Sequence, residues 1–364
     1  MLLPNQSVWV EALSGDSPLR DEVTFKVVVH NRVSLDYSIE REELNKIGAE
    51  IVEIQPRNNR EFIEHARDAD ALIAQKDPIS SEIIDGLEKC LIIGVPRIGV
   101  DIIDIAAATR QGIIVTNTPD VFIEEVADHT MAMLLASARR LKDMDLMTRT
   151  GDWFKGRPSF ATIPRLWGQT LGLISFGNVA QAVARRAKPF GLHVIAHDPY
   201  VSELKMTNDG VGPVSLFELL ERSDFVSMHA PLNRETEHML TNEHFAVMKS
   251  TAIFVNNGRG PTVDEKALIE ALRTQKIAGA ALDVFEQEPP DLENELLHMP
   301  NVIVTPHIAS ASSRMAPESR RRMAREIALV LTGRWPMSCV NSEVLPKSDL
   351  IRWQPYPMDR GPSR

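Results

Sequence analysis

Short apolar runs alternate with amphipathic segments along most of this 364-residue chain, and the alternation limits the folds open to it. Each run is rich in β-branched residues and bounded by turn or polar residues, a pattern typical of buried parallel strands. Helical patterns such as 38–48 and 102–112 lie between the runs, with Gly48 and Gly112 at the expected helix ends. The alternation predicts an α/β fold with parallel sheets and helices on both faces.

The strand-like runs form two series on either side of a long helical pattern. Predicted strands cover residues 25–30, 49–55, 71–75, 91–95 and 113–117 in the first series, and 171–177, 193–198, 225–230, 252–257, 278–284 and 302–308 in the second. The intervening segment, 124–144, has more apolar positions than one helix face needs, so we expect it to pack between domains or subunits. A last helix is predicted near 318–332. Two series in a chain too long for one ordinary core predict two domains.

Composition and charge exclude several classes of function. Hydrophobic residues make up 43% and charged residues 25% of the chain, as in globular proteins. The net charge of -10 disfavours nucleic acid or a membrane surface as the main partner. Two distant cysteines, Cys90 and Cys339, give no disulfide framework, and the histidines show no metal-ligand spacing. Without a secretory or membrane-spanning pattern, we expect a cytoplasmic protein, with a loose extension over 1–23.

One strand–helix–strand unit carries a nucleotide-binding signal. In the dinucleotide fingerprint G-x-G-x-x-G/A, glycines permit a tight turn and a close approach of the backbone to a pyrophosphate at the helix N-terminus. The three fingerprint positions here are Ser175, Gly177 and Ala180, so serine replaces the first glycine. Serine has less freedom at positive φ. We expect either weaker cofactor binding or a hydroxyl that donates to a phosphate.

Asp198 strengthens this interpretation because it ends the second strand of the unit. A carboxylate there can accept hydrogen bonds from the adenosine ribose hydroxyls, and it repels a 2′-phosphate. Pro199 and Tyr200 follow it in place of an arginine. The alternative without a cofactor role is an ordinary strand-ending aspartate in a turn. After a near-fingerprint and a helix, the pattern favours a cofactor site, and NAD over NADP.

From about residue 71 to 345, and most strongly over 99–309, the sequence resembles the D-2-hydroxyacid dehydrogenase family, which includes phosphoglycerate dehydrogenase and the C-terminal-binding proteins. Beside the strand–helix–strand unit, the matching stretches are 99–120, 124–130, 229–236, 256–268, 278–289 and 305–310. The resemblance implies two open parallel-sheet domains, a Rossmann NAD-binding domain inserted into a flavodoxin-like substrate domain, with the chemistry in the cleft between them. Carried onto this chain, the substrate domain is 1–118 and 309–345, the cofactor domain 119–308, and a flexible tail 346–364. The family also implies a homodimer, with the 124–144 helix in the interface.

The family's catalytic trio maps onto Arg259, Glu288 and His307. A group must take the hydroxyl proton as hydride leaves C2, and an imidazole such as that of His307 can do so. Glu288 is expected to stabilise the imidazolium and fix the ring, and Arg259 to bind the substrate carboxylate and polarise the C2 oxygen. Taken singly, each residue also has a structural explanation: Arg259 as a solvent-exposed loop residue, Glu288 as part of a surface turn, and His307 as a strand-end residue bonded to backbone. All three follow strand ends of a parallel sheet, where ligand crevices form, and this favours the catalytic interpretation.

The resemblance also implies contacts to the cofactor. Asp283 is expected to meet the nicotinamide carboxamide, the alternative being a structural aspartate that caps the following segment. Residues 229–231 and 236 are expected to wall the adenine and pyrophosphate, and 257–258 to contact the nicotinamide ribose. The expected cofactor-binding residues are Ser175, Gly177, Asn178, Val179, Asp198, His229, Ala230, Pro231, Thr236, Asn257, Gly258, Arg259, Asp283 and His307.

The substrate loop departs from the family pattern. The family has a glycine-rich segment whose backbone N–H groups hold the substrate carboxylate, whereas this chain has GVPRIGVD at 94–101. Pro96 has no N–H to donate, and Arg97 stands where a glycine is expected. Arg97 is either a second cation for a dicarboxylate or phosphorylated substrate, or a side chain that points to solvent or pairs with an acid. The expected substrate-binding residues are Arg97, Ile98, Gly99 and Arg259.

The resulting functional hypothesis is an NAD-dependent oxidoreductase that interconverts a small D-2-hydroxy acid and its 2-oxo acid. Two alternatives stay open at this point. One is a non-enzymatic NAD(H)-responsive binding protein, because the C-terminal-binding proteins keep the same trio. The other is a dehydrogenase of a phosphite- or phosphonate-type anion, for which Arg97 is the only hint. The residues specify neither the acid nor the physiological direction.

Overall fold

The computed structural model describes residues 25–30, 36–154, 161 and 163–353. The expected extension over 1–23 and the part of the expected tail beyond 353 lie outside these residues. The chain divides into two compact units, one formed by Met1–Thr118 and Ser319–Arg364 and the other by Pro119–Glu318. The second unit is thus inserted into the chain of the first.

The first unit contains a sheet of five parallel strands in the order β2-β1-β3-β4-β5. This is the flavodoxin-like order. The strands are β1 (Phe25–His30), β2 (Ala49–Ile54), β3 (Ala71–Ile73), β4 (Ile92–Gly94) and β5 (Ile114–Thr116), and the helices between them are α1 (Ser38–Leu44), α2 (Asn59–Ala66), α3 (Ser81–Asp85) and α4 (Ile105–Gln111).

Alternate side chains of this sheet enter two separate cores. On β1, Val28 packs in one core while Val27 and Val29 pack in the other. The second core is covered by helix α13 (Met315–Leu331), which begins at the end of the second unit and buries apolar residues such as Met323, Ile327 and Val330 against the sheet. A Cβ on Gly94 would lie 2.9 Å from side chains of α13, so glycine permits this close approach.

Buried ion pairs join α13 to α1. Glu40 is fully buried, and its carboxylate accepts two hydrogen bonds from Arg320, at 2.7 and 2.6 Å. Glu43 accepts from Arg325 at 3.0 Å and from Lys46 at 2.6 Å. Burying these carboxylates is compensated by charge-assisted hydrogen bonds, so the two chain segments that form the first unit are fixed to each other through α1 and α13.

Asn341 makes a second connection between the two segments. Its side-chain oxygen accepts from the backbone N–H of Val115 at 2.9 Å, and its amide donates to the carbonyl of Ile113 at 2.9 Å. The residue is 1% exposed. Its side chain forms the hydrogen bonds that a neighbouring strand would otherwise form with these backbone groups at the sheet edge.

The second unit contains seven parallel strands in the order β12-β11-β10-β9-β6-β7-β8. The run from β8 to β11 has the Rossmann order 3-2-1-4-5-6. These strands are β6 (Thr170–Ile174), β7 (His193–His197), β8 (Gly212–Pro213), β9 (Phe225–Met228), β10 (Ile253–Asn256), β11 (Gly279–Leu282) and β12 (Val302–Val304). The predicted fold class, a Rossmann domain inserted into a flavodoxin-like one, is confirmed.

Helices cover both faces of this second sheet, and its two hydrophobic cores lie on opposite sides of it. The helices are α5 (Ile123–Ala138), α6 (Leu141–Arg149), α7 (Asn178–Ala187), α8 (Glu203–Asn208), α9 (Leu216–Arg222), α10 (Asn242–Ala246), α11 (Glu265–Arg273) and α12 (Glu295–His298). Since β6 and β9 are neighbours and the chain winds away from them in both directions, the carboxyl end of β6 is the topological switch point. Ligands of open α/β sheets bind at such a point.

Two predictions about elements need correction. The single helix expected over 124–144 is two helices, because Arg140 adopts φ 52° and breaks the first. Helix α5 buries seven of its residues, whereas α6 has no buried residue. The expected packing of this segment between domains or subunits stays a prediction. Several predicted strands also end two to four residues early, so that the polar residues at their ends belong to loops.

The tail expected to be flexible from residue 346 is ordered up to 353. The backbone of Ile351 pairs with Gly333 and Trp335, and the indole N–H of Trp353 donates to the Trp335 carbonyl at 2.9 Å. The guanidinium of Arg334 lies 5.4 Å from the centre of the Trp353 ring. Aromatic and cation–π contacts therefore hold a segment whose prolines and charges suggested disorder.

Candidate active site

The N-terminus of α7 lies at the switch point and is open to an anion. Gly177 precedes the helix, and among the described residues no side chain caps it. A Cβ at Gly177 would have no heavy atom within 4 Å, so the approach to the exposed residues Asn178 and Gly177 is unobstructed. Unpaired N–H groups and the helix dipole favour a phosphate here. The geometry suits the pyrophosphate of a dinucleotide.

Ser175 adopts the conformation that the fingerprint normally gives to glycine. Its φ is 73°, in the left-handed region that costs a residue with a Cβ about 1–2 kcal/mol. Its hydroxyl donates to a carboxylate oxygen of Asp198 at 3.1 Å, and the N–H of Phe176 donates to the same oxygen at 2.8 Å. The serine hydroxyl is therefore directed at Asp198, not at the helix N-terminus.

Asp198 lies at the carboxyl end of β7, beside the fingerprint turn. Its second oxygen accepts from the backbone N–H of Tyr200 at 2.8 Å. In the part of the chain that is described, no lysine or arginine pairs with this carboxylate, so its charge is available to ribose hydroxyls. A cavity of about 420 Å³ adjoins it on the side of β8.

The loop after β9 forms a compact turn. The Thr236 hydroxyl donates to the carbonyl of Pro231 at 2.5 Å and accepts from the N–H of Asn233 at 2.9 Å. Thr236, expected to contact the cofactor, thus fixes the loop itself. Burial lowers the pKa of His229 to about 4, so its ring is neutral and hydrogen-bonds Ser227 at 2.9 Å. Ala230 is buried.

Arg259 lies in a rigid loop after β10. The Asn256 side chain spans the loop, accepting from the N–H of Gly258 at 3.0 Å and donating to the carbonyl of Arg259 at 3.1 Å. The guanidinium donates to the carbonyl of Gly258 at 2.8 Å. The Asn257 amide is turned toward α5, 3.1 Å from the Thr130 hydroxyl. Both the Gly258 N–H and the Asn257 side chain therefore already have hydrogen-bond partners. The expected contacts to the nicotinamide ribose are left to the other backbone atoms of these two residues.

Gly260 sets the distance between this loop and the segment that carries Glu288. A Cβ at Gly260 would lie 1.8 Å from the carbonyl oxygen of Phe285 and 2.5 Å from the N–H of Glu286. Only a residue without a side chain permits this backbone contact. Glycine therefore keeps the Arg259 and Glu288 segments close together.

Glu288 and His307 form a hydrogen-bonded pair. Nδ1 of His307 lies 2.6 Å from Oε2 of Glu288, whose other oxygen accepts from the N–H of Phe285 at 3.2 Å. Burial raises the pKa of Glu288, but the hydrogen bond from His307 and the charges of His307 and Arg259 outweigh burial and hold it below its usual value. Glu288 is an anion that orients the ring, and Nε2 is left for a reactant.

Asp283 anchors the loop that carries His307. It is fully buried, and its carboxylate accepts from the N–H groups of Ile308 and Ala309 at 2.9 and 2.8 Å, and from the Thr305 hydroxyl at 2.5 Å. This bonding fits the structural alternative for Asp283. The anchoring maintains His307 at φ 53°, an uncommon conformation for a residue with a side chain.

The expected substrate loop lies in the first unit, after β4. The carbonyl of Arg97 accepts from the N–H of Thr118 at 3.0 Å, and that of Ile98 from the Asn117 side chain at 2.7 Å. The Arg97 guanidinium donates to the carbonyl of Gln75. Arg97 is not among the described residues with positive φ, so arginine in place of glycine causes no left-handed strain. No described backbone acceptor takes the N–H of Gly99.

Among the residues that the structure describes, no group of three or more histidine, cysteine, aspartate or glutamate side chains could hold a metal ion. Within the same ranges, no helix is long and apolar enough to cross a membrane.

Sequence reasoning missed the residues that position the site. Asn256, Thr305 and Gly260 make none of the expected ligand contacts but hold the loops of Arg259 and His307. Two of them had a visible signal, since Asn256 and Thr305 are polar residues directly at the ends of apolar strands, whereas Gly260 lies in the loop beyond Asn256. Tyr200 and Glu235, whose side chains hydrogen-bond each other, were also not singled out as a pair.

Comparison with known proteins agrees with this geometry. Residues 131–309 match the model of the "D-isomer specific 2-hydroxyacid dehydrogenase, NAD binding domain". The chain is 43% identical over 296 residues to a glyoxylate reductase of Korarchaeum cryptofilum, covering 80% of this chain and 88% of that protein. It is 39% identical over 320 residues to a D-3-phosphoglycerate dehydrogenase of Methanocaldococcus jannaschii, covering 86% of this chain but 60% of that longer protein.

A solved structure of a glyoxylate reductase from Paecilomyes thermophila superimposes with a TM-score of 0.79 at 26% identity, covering 88% of this chain and all of that one. The predictions of an enzyme and of NAD as its cofactor are confirmed. Sequence, fold and the open helix N-terminus agree that this chain belongs to the D-isomer specific 2-hydroxyacid dehydrogenase family of NAD-dependent oxidoreductases.

Proposed function

We propose that this enzyme interconverts a small D-2-hydroxy acid and its 2-oxo acid, with His307 as the acid–base group. The observation that carries the proposal is the 2.6 Å contact between His307 Nδ1 and Glu288 Oε2. With a proton on Nδ1 directed at a carboxylate, the neutral ring has its lone pair on Nε2. That nitrogen can take a proton from a hydroxyl group at working pH.

The residues divide the chemistry between them. NAD, when bound, accepts the hydride from C2 of the hydroxy acid or, as NADH, returns it to the oxo acid. In oxidation, His307 Nε2 takes the hydroxyl proton and becomes imidazolium, which the Glu288 carboxylate stabilises. In reduction, the imidazolium gives that proton to the carbonyl oxygen. Glu288 stays ionised in both directions, in keeping with its lowered pKa.

Arg259 is proposed to bind the substrate. Its planar guanidinium can pair with the carboxylate and, in the same plane, polarise the C2 oxygen. The Asn256 bonds and the close Gly260 contact hold its backbone in place. Such fixed positioning lowers the entropic cost of reaching the reactive geometry.

For the cofactor, we propose that the N-terminus of α7, at residues 177–179, holds the pyrophosphate. Asp198 accepts from the adenosine ribose, and the turn over 229–236 walls the adenine. The open N-terminus and the absence of a cation beside Asp198 among the described residues support this assignment. NAD is then favoured over NADP, since a 2′-phosphate would meet a carboxylate.

For the substrate, we propose a small 2-oxo acid of the glyoxylate type, because the relatives at 39–43% identity include enzymes named for glyoxylate and for phosphoglycerate. The loop with Arg97, Ile98 and Gly99 is proposed to contribute to its recognition. Arg97 would then favour acids with a second anionic group, such as oxaloacetate or phosphohydroxypyruvate.

The test is NADH oxidation with glyoxylate, hydroxypyruvate, oxaloacetate and phosphohydroxypyruvate. We expect His307→Ala to lower kcat about 10²–10⁴-fold while NADH binding persists. His193→Ala is the matched control, since His193 is an exposed histidine at the amino end of β7. Turnover that survives in His307→Ala would refute the assignment, and no turnover with any acid would refute the substrate class.

Arg97→Ala tests substrate discrimination separately. We expect it to raise the KM for the two dianionic acids more than the KM for glyoxylate. An equal change for all four acids would remove Arg97 from substrate selection.

We also propose a homodimer. Helix α6 has no buried residue, and Leu141 and Leu146 are 54% and 59% exposed, as expected of a surface that a second copy covers. Light scattering checks the proposal, and a single species at monomer mass would contradict it. A cytoplasmic location stays a prediction.

A further inference from the structure

Two loops at the carboxyl edge of the second sheet contact each other. One follows β7 and carries Tyr200, and the other follows β9 and carries Glu235. The Tyr200 hydroxyl donates to the Glu235 carboxylate. Because β7 and β9 are the two neighbours of β6, the two strands are about 10 Å apart. Their contact therefore spans the carboxyl end of β6, where the fingerprint turn and the start of α7 lie.

Each side of this contact is held by backbone hydrogen bonds. Asp198 accepts from the N–H of Tyr200 at 2.8 Å. On the other side, the Asn233 side chain accepts from the N–H groups of Glu235 and Thr236 at 2.8 and 3.1 Å. Glu235 is thus presented by a preformed turn, and Tyr200 is fixed relative to Asp198.

The contact places two carboxylates around one tyrosine. Asp198 binds the Tyr200 backbone, and Glu235 binds its hydroxyl. The hydrogen bond to Glu235, together with the charges of both acids, raises the pKa of Tyr200. Across the described chain, neither carboxylate forms an ion pair with a lysine or arginine. Two carboxylates that form no described salt bridge therefore lie beside Tyr200.

We propose that Glu235 is a second determinant of cofactor specificity, held at the adenosine end of the NAD site by Tyr200. The inference rests on the proposed placement of the adenosine ribose at Asp198. In this fold the carboxylate after the second strand hydrogen-bonds the ribose 2′-hydroxyl, so the 2′ position would lie beside Tyr200, which is bonded to Asp198, and beside Glu235, which is bonded to Tyr200. A 2′-phosphate would meet the charge of Glu235 in addition to that of Asp198, whereas the 2′-hydroxyl of NAD can donate to either acid.

The test measures NADH and NADPH dissociation constants by the change in nicotinamide fluorescence, without any substrate. Glu235→Gln keeps the size of the side chain and an acceptor for Tyr200 but removes the charge. Removing one exposed like charge near a phosphate corresponds to about a 5- to 10-fold gain in NADPH affinity. We expect that gain, with NADH affinity changed less than about 2-fold, and a smaller gain at high salt because screening weakens the repulsion.

Glu237→Gln is the matched control, because it removes an equally exposed charge from the same loop. An unchanged NADPH-to-NADH ratio in Glu235→Gln, or an equal change in Glu237→Gln, overturns the proposal. Asp198→Asn distinguishes this failure from that of the ribose site. If Asp198→Asn alters nucleotide affinity and Glu235→Gln does not, only the role of Glu235 is wrong. If neither does, the proposed ribose site is wrong as well.

Tyr200→Phe tests the positioning role. It removes the hydrogen bond while keeping the ring and the charge of Glu235, so we expect a smaller gain in NADPH affinity than in Glu235→Gln. In the double variant, Tyr200→Phe should add nothing to Glu235→Gln, because both act through one interaction. Additive effects would show that Tyr200 does not hold Glu235 for this purpose.

Discussion

Replacing Gly260 with alanine should impair catalysis more than cofactor binding. The new Cβ would stand 1.8 Å from the Phe285 carbonyl oxygen, whereas ordinary contact begins at 3.4 Å. The Arg259 loop and the Phe285 segment must therefore separate by about 1.6 Å. The obstructing atoms, the carbonyl oxygen of Phe285 and the nitrogen of Glu286, belong to the backbone, so no side-chain rotation relieves the overlap. Overpacking of this kind costs about 1–3 kcal/mol of folding stability.

The same displacement moves Arg259 relative to Glu288 and His307. A misplacement of about 1 Å can cost on the order of 100-fold in rate, so we expect kcat/KM for the best 2-oxo acid to fall at least that far. NADH affinity should fall much less than kcat/KM, because the displaced loop carries only the expected nicotinamide-ribose contacts, whereas the N-terminus of α7 and Asp198 follow other strands. The assays are NADH oxidation and NADH fluorescence at 25 °C, with circular dichroism to confirm that the variant is folded.

Gly212→Ala provides the control for a glycine substitution in the same sheet. Its Cβ would approach a side-chain atom of Ile195 at 3.3 Å, a contact that a small shift relieves. We expect near-normal kinetics from this variant. A Gly260→Ala enzyme with normal kcat/KM would refute the argument that backbone contact sets the position of Arg259.

Three further predictions concern stability and the His307 loop. Ser175→Gly should be more stable than Ser175→Ala by about 1 kcal/mol in urea unfolding, since both lose the bond to Asp198 and only glycine relieves the left-handed strain; equal stability would contradict the strain. Asp283→Asn should lower kcat and reduce the free energy of unfolding by about 1–3 kcal/mol, because an amide cannot accept all three bonds of the buried carboxylate; unchanged kcat would remove Asp283 from the positioning of His307. Burial raises the pKa of Glu43, but its bonds to Lys46 and Arg325 lower it by more, so the folded pKa lies below its usual value. The carboxylate therefore stabilises the fold above the unfolded pKa of about 4.3, and this stabilisation is lost as pH falls through the folded pKa. Glu43→Gln should flatten the pH dependence of stability below about pH 4.3, and an unaltered acid profile would refute this.

Much of the fold follows from the sequence because each strand is a buried apolar run. The pattern at 25–30 or 171–174 needs no tertiary information to be identified as a strand. The break at Arg140 was not predictable, since nothing in the residues around it marks a left-handed conformation. The ordered segment near Trp353 was also missed, because its partner Trp335 is distant from the polar residues that suggested a tail.

For the site, sequence reasoning found the residues with distinctive chemistry, such as His307 and Asp198. It could not distinguish the two interpretations of Asp283, because both require an aspartate after a strand. Only the positions of the 308 and 309 amide groups relative to the carboxylate favour the structural one. Likewise, the pairing of Tyr200 with Glu235 depends on strand order, which no local pattern around either residue specifies.

The discontinuous first unit has a consequence for synthesis of the protein. Its sheet is made from residues that precede the second unit, but Arg320, Arg325 and Asn341 are translated only after that unit. Until then, Glu40 and Glu43 lack their partners on α13, and the sheet face that α13 covers is exposed. The contiguous second unit, by contrast, has all of its strands once residue 304 has been translated. The nascent chain therefore completes its nucleotide-binding unit first, and the unit begun earliest is the last to close.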